Sequence, residues 1–307
     1  MKVALVVPTY NAGKLWERFL HSYEMQSVKV DKFIVIDSSS SDSTRELALK
    51  YGAEVYEIEK SDFNHGGTRN YGASLCGDVN IIIFMTQDAI FENSFSIAEI
   101  IKPFYDESIS AICGRQIAHE DATPIAIHAR EYNYDNVSSV KSCECIKTLG
   151  IKAAFMSNSF SAYRKSAFDM MGGFPRNTIL AEDMYMSAKM ILAGQKVAYC
   201  ADAIVRHSHN YTPWEEFRRY FDIGVFHACE PWIQDKLGAV SGEGFRFIKS
   251  ELNYLLFHAP KWIPRACLNT ACKFIGYKLG VNYRSIPKAW RRELSMYKSY
   301  WLQQDGL

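Results

Sequence analysis

Three short stretches of the sequence carry side chains that could do acid–base or metal chemistry. "LAEDMY" puts Glu182 and Asp183 into the first turn of a helix, where the helix dipole favours carboxylates. "RHSHN" puts His207 and His209 on the same face of an extended segment, where they could bind a metal or a phosphate. "TQDA" stands at the end of a strand-like run and contains Asp88. Helix capping and structural histidines explain the first two stretches equally well, so the rest of the chain must decide.

A fourth stretch, "FNHGGTRNYGASL" (63–75), joins a strand-like run to a helix predicted over 66–76. Gly66 and Gly67 would let the backbone come close to a ligand. Arg69 near a helix N-terminus would attract an anion, and a phosphate is the anion that we expect. The alternative is an ordinary turn with one exposed arginine.

The elements around these stretches alternate between strands and helices. Near-continuous apolar runs, typical of strands buried on both faces of a parallel sheet, occur in "KVALVVP" and "KFIVID", and "AEVYEI" and "VNIIIFM" predict a third and a fourth strand. Helical patterns lie between them. This order predicts an α/β fold, with a Rossmann-like, open, mostly parallel, twisted sheet and helices on both faces.

Polar groups follow each of these strands, and they predict a single binding crevice. They are "PTYN" (8–11), Asp37, the loop 64–70 and "TQDA" (86–89). Ligands of such sheets bind beyond the carboxyl ends of the strands. The turn after the first strand has one glycine, so it lacks the Gly-x-Gly-x-x-Gly pattern of dinucleotide-binding proteins, and no Walker phosphate loop occurs.

The charge of the chain is divided unevenly along its length. The 307 residues carry a net charge of +1, but residues 245–307 contain 11 Lys and Arg against 3 Asp and Glu. In "KAWRRELSMYKSYW", Trp290, Leu294, Tyr297 and Trp301 have helical spacing beside basic residues. Such a helix could lie on an anionic membrane surface, or it could pack on the rest of the chain or on a second subunit.

The same sequence contains no segment that predicts a membrane span or export. No apolar run reaches about 18 residues, and the N-terminal apolar run is too short for a signal peptide. We therefore expect a cytoplasmic protein, with attachment to the inner face of the plasma membrane as an additional possibility.

The motifs taken in order resemble the family 2 inverting glycosyltransferases with the GT-A fold. "VVPTYNAG", "VIDSSSSDST", "FMTQDA", "GGFP", "AEDMY" and "HSH" carry this resemblance over residues 1 to about 225. "DFNHGGTRNYGA", together with the later motifs, looks like bacterial rhamnosyltransferases of that family, which use dTDP-L-rhamnose in polysaccharide assembly. One departure is that the usual Asp-x-Asp is replaced by Thr86-Gln87-Asp88.

The resemblance implies a division of the chain into two parts. The first is a catalytic domain over 1–225, with a nucleotide-binding half (1–115) and an acceptor half (116–225). The second is a basic, aromatic, helical extension over 226–307. The expected partners are a nucleotide sugar, with dTDP-rhamnose as the donor, and a saccharide or lipid-linked saccharide acceptor. No nucleic-acid partner is expected.

The resemblance also implies roles for individual residues. Asp183 would be the general base, and Asp88 with His207 and His209 would hold Mg²⁺ or Mn²⁺. Residues expected on the acceptor side are Gly173, Phe174 and Glu182. Residues expected to contact the nucleotide sugar are Pro8, Thr9, Tyr10, Asn11, Asp37, Arg69, Gln87, Arg218 and Arg219.

Two other functions use some of the same residue types. A glycoside hydrolase also needs carboxylates, but it requires two of them flanking a glycosidic bond and has no use for a nucleotide-shaped crevice. A non-catalytic sugar-nucleotide sensor would not need both Asp88 and Asp183. The sequence does not indicate the linkage formed or the oligomeric state.

Overall fold

The computed structural model describes residues 1–238 and 242–305, which fold around one twisted sheet. Its strands are β1 (Val3–Thr9), β2 (Lys32–Asp37), β3 (Glu54–Glu57), β4 (Ile81–Met85), β5 (Ile90–Phe91), β6 (Ile109–Ile117), β7 (Ser139–Lys141), β8 (Phe160–Arg164) and β9 (Lys196–Arg206). Their order across the sheet is β3-β2-β1-β4-β8-β6-β9-β5, and β7 also pairs with β9.

The α-helices lie on both faces of the sheet and at its C-terminal side. They are α1 (Gly13–Glu24), α2 (Thr44–Lys50), α3 (His65–Leu75), α4 (Ser96–Ile101), α5 (Pro124–Asn133), α6 (Ile146–Leu149), α7 (Lys165–Met170), α8 (Glu182–Leu192), α9 (Pro213–Cys229), α10 (Pro231–Leu237), α11 (Glu243–His258), α12 (Ile263–Val281), α13 (Lys288–Leu294) and α14 (Lys298–Asp305).

The N-terminal half of the sheet is parallel, as the sequence predicts. β1 pairs in parallel with β2 and β4, and β2 pairs in parallel with β3. Thr9 and Asp37 are partners in this register, so the loops that follow β1 and β2 leave the sheet side by side. The apolar runs predicted as buried strands are indeed buried in β1, β2 and β4.

The other half of the sheet contains both parallel and antiparallel pairs, whereas the sequence predicted a mostly parallel sheet. β8 runs antiparallel to both neighbours, β4 and β6. β8 therefore enters the sheet from the edge at which β4 and β6 end. Phe160 at its start therefore pairs with Met85 at the end of β4. This pairing brings the residues just before β8 to the edge where ligands are expected.

Two apolar cores cover the two faces of the sheet. On one face α1, α2 and α4 bury large side chains that include Trp16 and Phe19. On the other face α3, α7, α8 and α9 contribute, with Phe168 and Phe221 among the buried residues, and Trp301 of α14 belongs to the same core. The C-terminal helices are thus packed into the body that carries the sheet.

The expected boundaries between parts of the chain both fall inside regular elements. The boundary at 115/116 lies within β6, and the boundary at 225/226 lies within α9. α12 packs tightly on α9, because a Cβ at Gly276 would lie 2.3 Å from the Phe217 carbonyl oxygen and one at Gly280 would lie 2.0 Å from that of Phe221. This close packing makes 226 a poor place to divide the chain.

The predicted amphipathic helix over 288–301 is not continuous. α13 ends at Leu294 and α14 begins at Lys298. Leu294, Tyr297 and Trp301 pack against the core, whereas Trp290 remains 67% exposed. Tyr297 and Trp301 therefore pack on the same chain, which was the alternative to a membrane-facing helix. Within the described ranges, none of the helices combines the length and the apolar composition that crossing a bilayer requires.

Candidate active site

A large cavity of about 1190 Å³ opens at the edge of the sheet where β1 and β4 end. Many of the expected site residues line it, and they come from six separate segments of the chain. They are Pro8, Thr9, Tyr10, Arg69, Gln87, Asp88, Glu182, Asp183, His207, His209 and Arg219. Asn11, Asp37, Gly173, Phe174 and Arg218 do not line the cavity.

One wall of the cavity carries a group of side chains suited to a divalent cation. The Nε2 atoms of His207 and His209 lie 3.5 Å and 3.8 Å from Oδ2 of Asp88. In the described part of the chain, these three residues are the one group of His, Cys, Asp and Glu with a spacing suited to metal binding. Ligands that are each about 2 Å from one ion lie roughly 3–4 Å apart, so the donor atoms fit a bound metal. Two imidazoles and one carboxylate favour Mn²⁺ over Mg²⁺, which prefers oxygen ligands.

Neighbouring side chains and burial set the orientation and the protonation of these three residues. Nδ1 of His207 lies 2.8 Å from Oε1 of Gln116, which can only accept, so Nδ1 donates to it and Nε2 is the ring atom that faces Asp88 and is available to a metal. Burial, His207 and Arg219 lower the pKa of His209 to about 3, so that its imidazole is neutral near pH 7. Burial alone would raise the pKa of Asp88, but interaction with His207 holds it well below the usual value.

The carboxyl group of Asp183 lies in another part of the cavity wall, at the start of α8. Its Oδ2 accepts a hydrogen bond from the Asn158 main-chain N–H (2.9 Å), and its Oδ1 accepts one from the Met184 N–H (2.8 Å). Burial and the neighbouring carboxylate of Glu182 raise the pKa of Asp183 to about 7. A carboxyl group with such a pKa can take up a proton near neutral pH, which a general base must do.

The loops after β1 and β2 are joined by a network of hydrogen bonds. The Asp37 carboxylate is fully buried and accepts from the Thr9 hydroxyl (2.8 Å) and from the main-chain N–H of Ser40 (2.8 Å). Oδ1 of Asn11 accepts from the Ser41 N–H (2.8 Å). These bonds hold the two loops together and leave Asp37 without exposed surface, whereas Asn11 is exposed, and the contact of both residues with the nucleotide stays a prediction.

Tyr10 and Gln87 connect the first loop to the end of β4. The Tyr10 N–H donates to Oε1 of Gln87 (2.7 Å), and Nε2 of Gln87 donates back to the Tyr10 carbonyl (3.2 Å). Nζ of Lys60 lies 4.3 Å from the centre of the Tyr10 ring. An aromatic ring with a nearby cation at the cavity mouth provides a surface on which a nucleotide base can stack.

Arg69 and the two glycines have different neighbours from those expected. Arg69 is buried and pairs with Glu182, with Nη1 3.2 Å from Oε1. A Cβ at Gly66 would lie 2.0 Å from the carbonyl oxygen of Pro175, and one at Gly67 would face the Asn64 side chain. Gly66 therefore allows α3 to pack on the "GGFP" turn, and neither glycine lines the cavity in which a ligand is expected.

The two residues of that turn that were expected on the acceptor side are structural. Phe174 is buried among Phe84, Tyr163 and Phe168, so its ring cannot contact an acceptor. Gly173 has a φ of 75°, and a Cβ there would lie 2.7 Å from the Asn70 side chain. Nδ2 of Asn70 in turn donates to the Phe174 carbonyl (2.8 Å).

The adjacent arginines of α9 differ in position. Arg219 lines the cavity, and its guanidinium group lies 5.8 Å from the centre of the Tyr211 ring. Arg218 points away from the cavity, and its Nε donates to the Ser295 carbonyl (2.8 Å). Only Arg219 is therefore placed to contact a ligand. Arg218 holds the segment that leads to Tyr297, whose ring contacts His65 and lines the cavity.

Several cavity residues were not predicted from the sequence. Asn158 and Gln116 position the carboxylates and His207, and Arg130 and Tyr297 line the wall. Their own sequence neighbourhoods contain no motif. They reach the cavity from four separate places, namely β6 for Gln116, α5 for Arg130, the segment before β8 for Asn158 and the turn between α13 and α14 for Tyr297. The "SNS" before β8 was the one available signal for Asn158, because polar residues directly before a buried strand at the site edge need a partner.

A second cavity of about 500 Å³ adjoins the first between α5 and the helices α11 and α12. Arg130 and Arg219 line both cavities. Trp262, Phe247 and Arg265 line only the second one. Aromatic rings beside arginines provide a surface for a saccharide next to the first cavity.

Comparisons with known proteins agree with this geometry. The model of the family described as glycosyl transferase family 2 matches residues 4–172. The O-antigen chain rhamnosyltransferase RfbN of Salmonella typhimurium is 57% identical, over 98% of this chain and 96% of the relative. The O-antigen chain rhamnosyltransferase WbaN of Salmonella anatum is 56% identical, over 97% of this chain and 95% of the relative.

Solved structures share the fold at low sequence identity. A mannosyltransferase from Pyrobaculum calidifontis, in complex with GDP-Man and Mn²⁺, has a TM-score of 0.57 at 18% identity and covers 99% of this chain and 86% of its own. TarS of S. aureus, in complex with UDP-GlcNAc, has a TM-score of 0.54 at 17% identity, with 92% of each chain covered. The family match and the two close relatives together show that this chain belongs to glycosyl transferase family 2.

Proposed function

We propose that this enzyme transfers L-rhamnose from dTDP-rhamnose to a saccharide acceptor during the synthesis of a cell-surface polysaccharide. The two O-antigen chain rhamnosyltransferases that it resembles over nearly the whole chain support the sugar and the pathway. The observation that carries the proposal is that one cavity holds both a raised-pKa carboxyl group, on Asp183, and the cluster of Asp88, His207 and His209.

In this mechanism Asp183 removes the proton from the acceptor hydroxyl as that oxygen attacks the anomeric carbon of the donor. The bond from the anomeric carbon to the donor's diphosphate breaks, and the diphosphate leaves with the electron pair. Attack from the side opposite the leaving group, in one displacement, inverts the anomeric carbon. No covalent intermediate with the enzyme is needed, so no second carboxylate has to act as a nucleophile.

The negative charge that develops on the diphosphate must be stabilised by positive charge. Asp88, His207 and His209 would hold a divalent cation, which supplies that charge when it is bound. Arg219 adds a fixed positive charge at the same cavity and has no carboxylate within ion-pair distance in the described ranges. The Tyr10 ring with Lys60 would receive the nucleotide base.

We also propose that the acceptor binds from the side of the second cavity and that the enzyme works at a membrane surface. The second cavity shares Arg130, Asn133 and Tyr220 with the first, so a saccharide bound there can reach the Asp183 side. The helices α11 and α12 that border it expose apolar and basic side chains. Acceptors that are attached to a lipid would be presented at such a surface.

Binding and turnover assays test the donor. Calorimetry with dTDP, UDP and GDP, each with and without Mn²⁺, should show the tightest binding for dTDP with Mn²⁺. A panel of saccharide acceptors should then release dTDP from dTDP-rhamnose. Preference for UDP or GDP would replace the proposed donor. A chain that binds none of the three nucleotides would contradict the proposal as a whole, and release of sugar from a free oligosaccharide would indicate a hydrolase.

A further inference from the structure

Glu182, next to the proposed base, has two strong partners that its expected role on the acceptor side does not explain. The side chain is buried, and its Oε1 lies 3.2 Å from Nη1 of Arg69 and 2.9 Å from Nδ2 of Asn158. The Arg69 side chain is equally buried and also donates to the His65 carbonyl (3.0 Å). A buried carboxylate with a cation and an amide donor on one oxygen is held in its ionised form.

Asn158 is itself fixed in orientation. Its Oδ1 accepts from the Ser161 hydroxyl (2.7 Å) and from the Tyr163 hydroxyl (3.0 Å). The amide oxygen is therefore on the side of the two hydroxyls, and the amide nitrogen must face Glu182. The main-chain N–H of the same residue donates to Asp183. One residue thus holds both adjacent carboxyl groups, from a position just before β8.

We infer that Arg69, Asn158 and Glu182 form a positioning unit for Asp183, in which Glu182 is kept as an anion so that its charge strengthens Asp183 as a base. This inference rests on the proposed role of Asp183 in proton removal. It assigns to Glu182 an electrostatic function and removes it from direct contact with the acceptor. Arg69 then acts through Glu182, and its effect on the reaction is separate from any contact with the donor's phosphates.

The other titratable groups near the pair do not change charge near neutral pH. Burial raises the pKa values of Tyr163 and Tyr134 and raises that of the Cys113 thiol to about 12. Burial also raises the pKa of Tyr297 to about 12 and lowers that of His65 to about 4. Between pH 5 and pH 9, Asp183 is therefore the group of this set that can titrate, because the pKa of Glu182 is lowered and its carboxylate stays ionised beside the Arg69 guanidinium.

This arrangement predicts the direction in which two substitutions shift the pKa of Asp183. Glu182→Gln removes the neighbouring negative charge, so the pKa of Asp183 should fall by on the order of one unit, and the acid limb of the kcat profile should move to lower pH. Arg69→Gln removes the cation, so the apparent pKa of the carboxyl pair should rise and the acid limb should move to higher pH. If these contacts were purely structural, both substitutions would lower activity or stability, but they would not shift the acid limb of the kcat profile in opposite directions.

The experiment uses the full chain and two readouts. The first is the pH dependence of kcat for dTDP release. The second is the pH titration of the Asp183 side-chain carboxyl ¹³C resonance, which is assigned by its loss in Asp183→Asn. Arg69→Lys, which keeps the charge, and Glu144→Gln, which neutralises an exposed carboxylate, are the controls and should leave both midpoints close to those of the wild type. Far-UV circular dichroism shows whether each variant is folded.

The two readouts separate the inference from the proposed function. Unchanged midpoints in both substitutions, or shifts of the same sign, would overturn the positioning unit. If the ¹³C midpoints move as expected and the kcat profile does not follow them, the unit is supported and Asp183 is not the base. If Glu182→Gln does not fold, Arg69→Gln alone must still raise the ¹³C midpoint, and a lowered or unchanged midpoint would overturn the inference.

Discussion

At the residue scale, Asp183 combines a fixed orientation with a high affinity for protons. Both carboxyl oxygens accept main-chain hydrogen bonds, and burial beside Glu182 raises the pKa to about 7. Because a base must be deprotonated before it acts, kcat should increase with pH up to and through this value and then level off. The main-chain donors also prevent the side chain from turning away when an acceptor is absent.

Asp183→Asn tests the base directly. The amide keeps the shape of the side chain but cannot take up a proton, so kcat should fall by about 100-fold or more. The Kd for dTDP with Mn²⁺, measured by calorimetry on the same preparation, should stay close to the wild-type value. A folded variant with nearly normal kcat would remove Asp183 from the mechanism.

Asp88 provides a second prediction at this scale. Its carboxylate is the only oxygen ligand in the cluster of described residues, so Asp88→Ala should abolish the stimulation of dTDP binding by Mn²⁺. Asp121→Ala, which removes an exposed carboxylate from a nearby loop, is the matched control and should keep the stimulation. Full wild-type activity in excess EDTA would contradict the metal site and leave Arg219 to stabilise the leaving group.

At the element scale, the N-terminus of α3 depends on a close contact with the turn after α7. A Cβ at Gly66 would lie 2.0 Å from the Pro175 carbonyl, so Gly66→Ala must displace backbone. We expect this change to lower the free energy of unfolding by about 1–3 kcal/mol. Gly67→Ala is the control, because its Cβ would lie 3.4 Å from the Asn64 side chain. Urea unfolding measures both, and equal stability of the two variants would contradict the packing role.

The sequence predicted the elements better than it predicted their contacts. The strands and helices through α3 and β4 follow from local apolar runs and periodicity, and the structure brings together Asp88, His207 and His209, which the family resemblance had grouped. The pairing of Arg69 with Glu182 could not be predicted, because it joins segments more than 100 residues apart. Asn158, the second partner of Glu182, lies directly before the antiparallel β8, and no local pattern encodes the direction of that strand.

At the scale of the whole molecule, the C-terminal helices complete the cavity rather than forming a separate attachment. Arg218 donates to the Ser295 carbonyl, and Oδ2 of Asp222 accepts from the Met296 N–H (2.8 Å). These bonds from α9 fix the turn that carries Tyr297 into the cavity wall. The basic character of residues 245–307 therefore has to be explained by the helices that remain on the surface.

Two of those helices, α11 and α12, expose large apolar side chains, which include Phe257 (75% exposed), Leu256, Leu268, Phe274 and Ile275. Between residues 245 and 292 the one acidic residue is Glu251, and its side chain is buried. Exposed apolar groups accompanied by Lys and Arg, without exposed carboxylates, match an anionic lipid surface. A second copy of this chain would instead bring two basic surfaces together, which is unfavourable at low salt.

Sedimentation with lipid vesicles tests this last prediction. The wild-type chain should bind vesicles that contain phosphatidylglycerol, bind pure phosphatidylcholine vesicles less, and dissociate as salt is raised, because each basic residue contributes about 1 kcal/mol that salt screens. The double substitution of Leu256→Ser with Phe257→Ser should weaken binding by about tenfold or more, since both apolar side chains lose their place in the lipid interface. Leu49→Ser, an exposed leucine on α2, is the control and should bind normally. If the wild type binds no vesicle, and the double variant instead changes a dimer into a monomer in size-exclusion chromatography, the surface is an interface between two copies of the enzyme.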